Sequence, residues 1–93
     1  MIIEKSPTYN DRLFAILKYI SKNNPTNAKQ FKKDLDSKIL NLVNMPYKFR
    51  ASVHYSDNEV RDLVFKGYTV PYLIDEQNDK LIVLDVFKWL TSR

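Results

Sequence analysis

Residues 60–87 read VRDLVFKGYTVPYLIDEQNDKLIVLDVF, and the fold turns on this stretch. Three runs rich in valine, leucine, isoleucine and aromatics, Val60 to Phe65, Tyr68 to Asp75 and Leu81 to Phe87, are separated by Lys66-Gly67 and by Glu76-Gln77-Asn78-Asp79. Short apolar runs broken by such turn residues predict three β-strands in an antiparallel meander. In the middle run, Tyr68, Val70, Tyr72 and Ile74 share a face by the two-residue period of a strand, so they are expected to pack under a covering layer. Pro71 lacks an N–H and is expected at an edge, a bulge or a non-hydrogen-bonded site.

Upstream, the period changes from two to between three and four. Tyr9, Leu13, Ile16, Leu17 and Ile20 form one apolar stripe, with Asp11, Lys18 and Lys22 off it, which predicts an amphipathic helix from Thr8. Thr8 followed by Asp11 makes an imperfect capping box, and Asn23-Asn24-Pro25 stops the helix. Thr26 or Asn27 is placed to cap a second helix, whose face carries Ala28, Phe31, Leu35, Ile39 and Leu42 opposite Lys29, Lys33, Asp36 and Lys38. A loop this short between helices implies an antiparallel pair. Asn44-Met45-Pro46 ends the second helix, and Tyr47 to Asn58 reads as a long polar, basic and aromatic loop with room for a short strand. At the other end, Met1 to Lys5 is a β-branched run closed by Ser6-Pro7, a first strand. The expected fold is therefore α+β, in the order β-α-α-β-β-β, with a helical hairpin packed on an antiparallel sheet in a single domain over residues 1–93.

Composition narrows the function. Hydrophobic residues make up 44% of the 93, enough for one modest core, and one glycine with four prolines excludes a low-complexity chain. The absence of cysteine excludes thiol catalysis and thiolate metal sites. His54, beside Tyr55 and Asp57, is the only histidine, and its plain reading is an exposed loop residue. Glycine-rich nucleotide loops are absent, and Glu4, Asp75 and Asp85 fall on separate elements, so neither a cofactor nor a paired-carboxylate site is expected. No apolar run is long enough to cross a bilayer and no apolar signal core follows Met1, which points to a soluble, cytoplasmic protein. Fifteen Lys+Arg against eleven Asp+Glu give +4, a bias toward nucleic acid or an acidic protein partner.

Several words in this order resemble the ParE/RelE family of type II toxin-antitoxin toxins over nearly the whole chain. Ile16-Leu17-Lys18-Tyr19-Ile20, then Asn24-Pro25-Thr26-Asn27-Ala28 and Phe31, is similar to the family's first helix, Asn-Pro turn and second helix. Leu42-Val43-Asn44-Met45-Pro46 looks like its exit from the second helix. Val60-Arg61-Asp62-Leu63-Val64 resembles its arginine-bearing strand, and Gly67 to Ile74 its next one, with the Pro71-Tyr72 pair common in ParE-like members. The resemblance implies a toxin restrained by a cognate antitoxin in a hetero-oligomer. Its target would be DNA gyrase, as for ParE-like members, or mRNA on the ribosome, as for RelE-like members.

A metal-independent ribonuclease must hold phosphate, activate a 2′-hydroxyl and protonate a leaving oxygen. For that branch the resemblance offers Arg61, Lys48, Arg50 and Lys88, while a snorkelling or salt-bridged structural arginine is the plain reading of Arg61. The chain departs from the RelE-like pattern in reading Trp89-Leu90 where a basic residue is usual, with no tyrosine after it. It also lacks the histidine that many ParE-like members carry near Lys88. Tyr47, Phe49 and Tyr55, interleaved with Lys48 and Arg50, fit either base stacking or an apolar loop on the sheet. With Trp89 and Leu90 they are candidate partner contacts bordering a groove for an antitoxin helix or strand. A basic RNA- or protein-binding module without toxicity is the third reading.

Overall fold

The computed structural model of the chain describes residues 1–88. The elements run β1 (Ile2–Lys5), α1 (Pro7–Asn23), α2 (Pro25–Asn41), β2 (Val60–Phe65), β3 (Tyr68–Asp75), β4 (Lys80–Val83) and β5 (Phe87–Lys88). This is the expected order of strand, two helices, then strands. The sheet order is β1-β4-β3-β2, with β5 also paired to β3.

β2, β3, β4 and β5 are mutually antiparallel where they pair, and β1 joins β4 in parallel, Ile2 opposite Lys80 through Lys5 opposite Val83. The sheet is thus mixed rather than wholly antiparallel. A strand that returns to its partner after two helices and a hairpin is free to run either way, and side-chain alternation carries no information on direction.

The third apolar run is two strands, not one. Val83 faces Tyr72 and Phe87 faces Thr69, so the register along β3 slips by one residue across Leu84–Val86, a bulge. The Leu84 N–H donates to the Pro71 carbonyl at 2.9 Å. Because a strand residue aims its N–H and C=O to the same side, Pro71 turns its missing donor toward this break, where no ladder acceptor is lost. The proline and the bulge explain each other.

Helix boundaries follow proline. Ser6 caps α1, its Oγ accepting from the Tyr9 N–H at 3.1 Å and donating to the Leu84 carbonyl at 2.7 Å. Asn24 ends α1 and caps α2, its Oδ1 accepting from the Asn27 N–H at 3.2 Å. Thr8, Thr26 and Asn27 therefore lie inside helices. Pro7 and Pro25 occupy first-turn positions, where the absent N–H costs nothing and the fixed φ already suits a helix.

The helices cover one sheet face. Tyr9, Leu13, Phe31, Leu35, Ile39 and Leu42 pack on Leu63, Phe65, Val70, Tyr72, Ile74, Leu81 and Val83, with Tyr68 partly buried beside them. Phe31 meets Phe65 and Tyr68 edge-on, with centroids 5.2 and 5.4 Å apart. The residue 47–58 loop runs along the outer edge of β2: the Ser52 N–H donates to the Val60 carbonyl at 2.8 Å, and Ala51 bridges Arg61. That edge is covered. The outer edge of β1 is paired to nothing among the described residues. No helix is long and apolar enough to cross a membrane among those residues.

Candidate functional site

Arg61 sits on β2 where the 47–58 loop crosses it, and its guanidinium is engaged through Nε, Nη1 and one face. Nη1 donates to the Phe49 carbonyl at 3.0 Å, Nε donates to the Asn58 carbonyl at 3.3 Å, and the guanidinium carbon lies 4.9 Å from the Tyr47 ring centroid. Tyr47 is held in turn by its hydroxyl, which donates to Glu59 Oε1 at 2.7 Å. That hydrogen bond, then burial, pushes the Tyr47 phenol well above its ordinary range. Beneath them the Tyr72 hydroxyl donates to the Pro46 carbonyl at 2.6 Å, and burial pushes this phenol up to about 12 against the pull of Arg61. The cluster fastens both ends of the loop to the sheet.

The other basic candidates do not join it. Lys48 is exposed, with Nζ 5.6 Å from the Phe49 ring centroid, and borders a small hollow with Lys38 and Met45. Arg50 is exposed, and its backbone carbonyl accepts from the Asp62 N–H. Lys88 stands over the Tyr68 ring, Nζ 5.0 Å from the centroid. Arg61 faces Tyr72 across one side of β3 and Lys88 faces Tyr68 across the other, four residues along, or roughly 13 Å of strand. Tyr55 is partly exposed, and burial, then Asp85 and Asp62, raises its phenol. His54 is exposed and lies edge-on to Phe87 at 5.0 Å. Trp89 and Leu90 lie outside the described residues.

Two features escape a reading of the sequence. One is a groove of about 310 Å³ between α1 and β5, floored by Ala15, Ile16, Val86 and Phe87 and flanked by Arg12 and Lys88, with Tyr19 exposed at its rim. Only the Leu84-Asp85-Val86 break in the apolar pattern hints at it. The other is Asp62, buried on the face opposite the helices, with Oδ2 3.4 Å from the Val53 N–H and Oδ1 without a partner among the described residues. A carboxylate inside an apolar run gave no signal beyond its charge. No group of acidic or histidine side chains able to hold a metal occurs among the described residues.

The sequence profile of the ParE toxin of type II toxin-antitoxin systems, parDE, matches residues 3–88. The chain belongs to the ParE toxin family. Among solved structures, this ParE-family chain resembles the chromosomal ParDE system from P. aeruginosa, with a TM-score of 0.78, 18% identity and 97% of each chain covered. It also resembles the isolated E. coli RelE toxin, with a TM-score of 0.61 and 17% identity over 99% of this chain and 87% of that one. The intact E. coli RelBE complex gives 0.60 and 16%, over 99% and 98%. No curated protein sequence matches the chain. At these identities the structures speak to the fold, and the family match carries the assignment as a toxin. In this ParE-family chain the candidate site residues lie on and around a loop fastened to the sheet.

Proposed function

We propose that this ParE-family toxin inhibits growth by binding DNA gyrase, without cleaving RNA, and is neutralised by a cognate antitoxin in a hetero-oligomer. One observation carries the choice of mechanism: Arg61, the cation best placed by family resemblance for phosphate chemistry, directs its guanidinium at two backbone carbonyls and the Tyr47 ring. Stabilising a developing phosphorane needs donors aimed at an open position. Lys88 lies across β3 from Arg61, roughly 13 Å of strand away, and His54 rests against Phe87. A binding inhibitor needs none of these groups to converge. Its contacts would be the helical pair, the 47–55 loop with Tyr47, Phe49 and Tyr55, and the tail with Trp89 and Leu90, placed after the groove-lining Lys88.

The reading is tested in cells by inducing the chain without its antitoxin and following DNA damage and protein synthesis. DNA damage preceding any fall in translation is expected. Immediate translation arrest with cleaved mRNA and intact DNA would favour the endoribonuclease. Unimpaired growth would favour a binding module without toxicity.

A further inference from the structure

The net charge of +4 belongs to one part of the chain. Residues 7–41, the two helices with Asn24 between them, carry seven Lys and Arg against three Asp, while the rest of the chain carries eight basic and eight acidic residues and is neutral. Two of the three acids are taken. Asp34 accepts from Gln30 at 2.8 Å and pairs with Lys66 at 3.3 Å, and Asp36 pairs with Lys32 at 2.7 Å and with Lys5 at 3.4 Å. The third, Asp11, lies roughly 10 Å of helix before Lys18. Lys18, Lys22, Lys29 and Lys33 are exposed and have no ion-pair partner among the described residues. Lys18 and Lys22 are one turn apart on α1, and Lys29 and Lys33 one turn apart on α2. Each pair stands on the side of its helix opposite the buried residues, Tyr9 and Leu13 in α1 and Phe31 and Leu35 in α2, so all four point away from the sheet. Asn24 joins the helices, so both pairs lie at one end of the hairpin, none more than about 14 Å of helix from that turn. Around the turn the exposed side chains are short and neutral, Asn23, Thr26 and Asn27. The exposed apolar residues Phe14 and Leu40 lie outside this stretch, and Tyr19 lines the α1–β5 groove.

We propose that this end of the helical hairpin is a seat for the sugar-phosphate backbone of duplex DNA, gripped by Lys18, Lys22, Lys29 and Lys33. The proposal rests on the gyrase reading for its source of DNA, the duplex that gyrase holds. Lysines and short neutral side chains are the donors that backbone contact uses, and they carry no base preference. An acidic protein segment needs apolar anchors at the centre of its contact, and this face presents none. Unpaired strands are held by stacking on aromatic rings, and the one exposed ring of residues 18–33, Tyr19, belongs to the α1–β5 groove.

The test is fluorescence anisotropy of a short labelled duplex of mixed sequence, titrated with the purified full chain across a salt series. Four neutralised phosphates give log affinity against log salt a slope of about −3.6. Lys29→Ala with Lys33→Ala should reduce the size of that slope by about 2, and so should Lys18→Ala with Lys22→Ala. Alanine is a strong helix former, so these exposed exchanges keep the helices. Lys80→Glu, an equal change in net charge on the sheet face away from the helices, should leave the slope as it is. The proposal is overturned if the chain binds no duplex at low salt, or if Lys80→Glu reduces the slope as much as the helix pairs do. It is also overturned if the unpaired strand, or a polyglutamate peptide, binds these lysines more tightly than the duplex. Binding is read without gyrase. A chain that inhibits gyrase yet binds no duplex removes this seat and leaves the gyrase reading standing, and a chain that binds duplex without affecting gyrase does the reverse.

Discussion

Replacing Arg61 by alanine removes two hydrogen bonds to carbonyls and a cation stacked on Tyr47, and should cost about 2 kcal/mol of folding stability. Urea unfolding measures that cost, and gyrase inhibition at a temperature where the variant is folded should persist. Lost inhibition from folded protein would return Arg61 to the list of working residues. Sequence placed this arginine on a strand face beside Leu63 and Phe65, but the carbonyls that hold it come from loop residues whose path has no periodicity to read. Tyr72 supplies a pH dependence. Its phenol, near 10 when unfolded, is pushed up to about 12 by burial, so the folded state holds the proton more tightly. The resulting stability is complete below pH 10 and is lost as pH rises toward 12. Tyr72→Phe should flatten part of this alkaline decline in a thermal-melt series, while burial of Tyr9 keeps the remainder with the same sign.

Among the elements, Ser6 joins two structures that are distant in sequence, capping α1 and donating to the Leu84 carbonyl at the β4–β5 bulge. Ser6→Ala should therefore cost about 1–2 kcal/mol, against about 1 kcal/mol for Asn24→Ala, which loses only a cap, both read by chemical denaturation. Equal losses would mean that the Leu84 tie adds nothing. Helices and strands were legible because their apolar residues keep periods of 3.6 and 2, and Tyr68, Val70, Tyr72 and Ile74 do face the helices. The caps were misplaced by two or three residues because Pro7 and Pro25 read as breaks although each starts a helix. The bulge was hidden because Asp85 is a single polar residue in an otherwise apolar run from Leu81 to Phe87, and the parallel pairing of β1 depends on connectivity in space.

At the scale of the whole molecule, one helical layer covers one sheet face, the 47–58 loop closes the β2 edge, and among the described residues the β1 edge stays open. What remains outside is a set of surfaces: the α1–β5 groove, the α2 lysines and the loop aromatics. On the proposed reading, such a molecule acts by what it binds. Sequence made the fold and the toxin family legible, through the order of elements and the Asn-Pro and Pro-Tyr words. The surfaces were not legible, because grooves arise between elements whose spacing the chain does not spell out. The direct test is a gyrase supercoiling assay with purified, folded protein free of antitoxin, scoring both supercoiling and trapped cleaved DNA. Lost supercoiling with cleaved DNA accumulating is the predicted result. Unchanged supercoiling, with mRNA cut in a ribosome-dependent reaction by the same preparation, would contradict it.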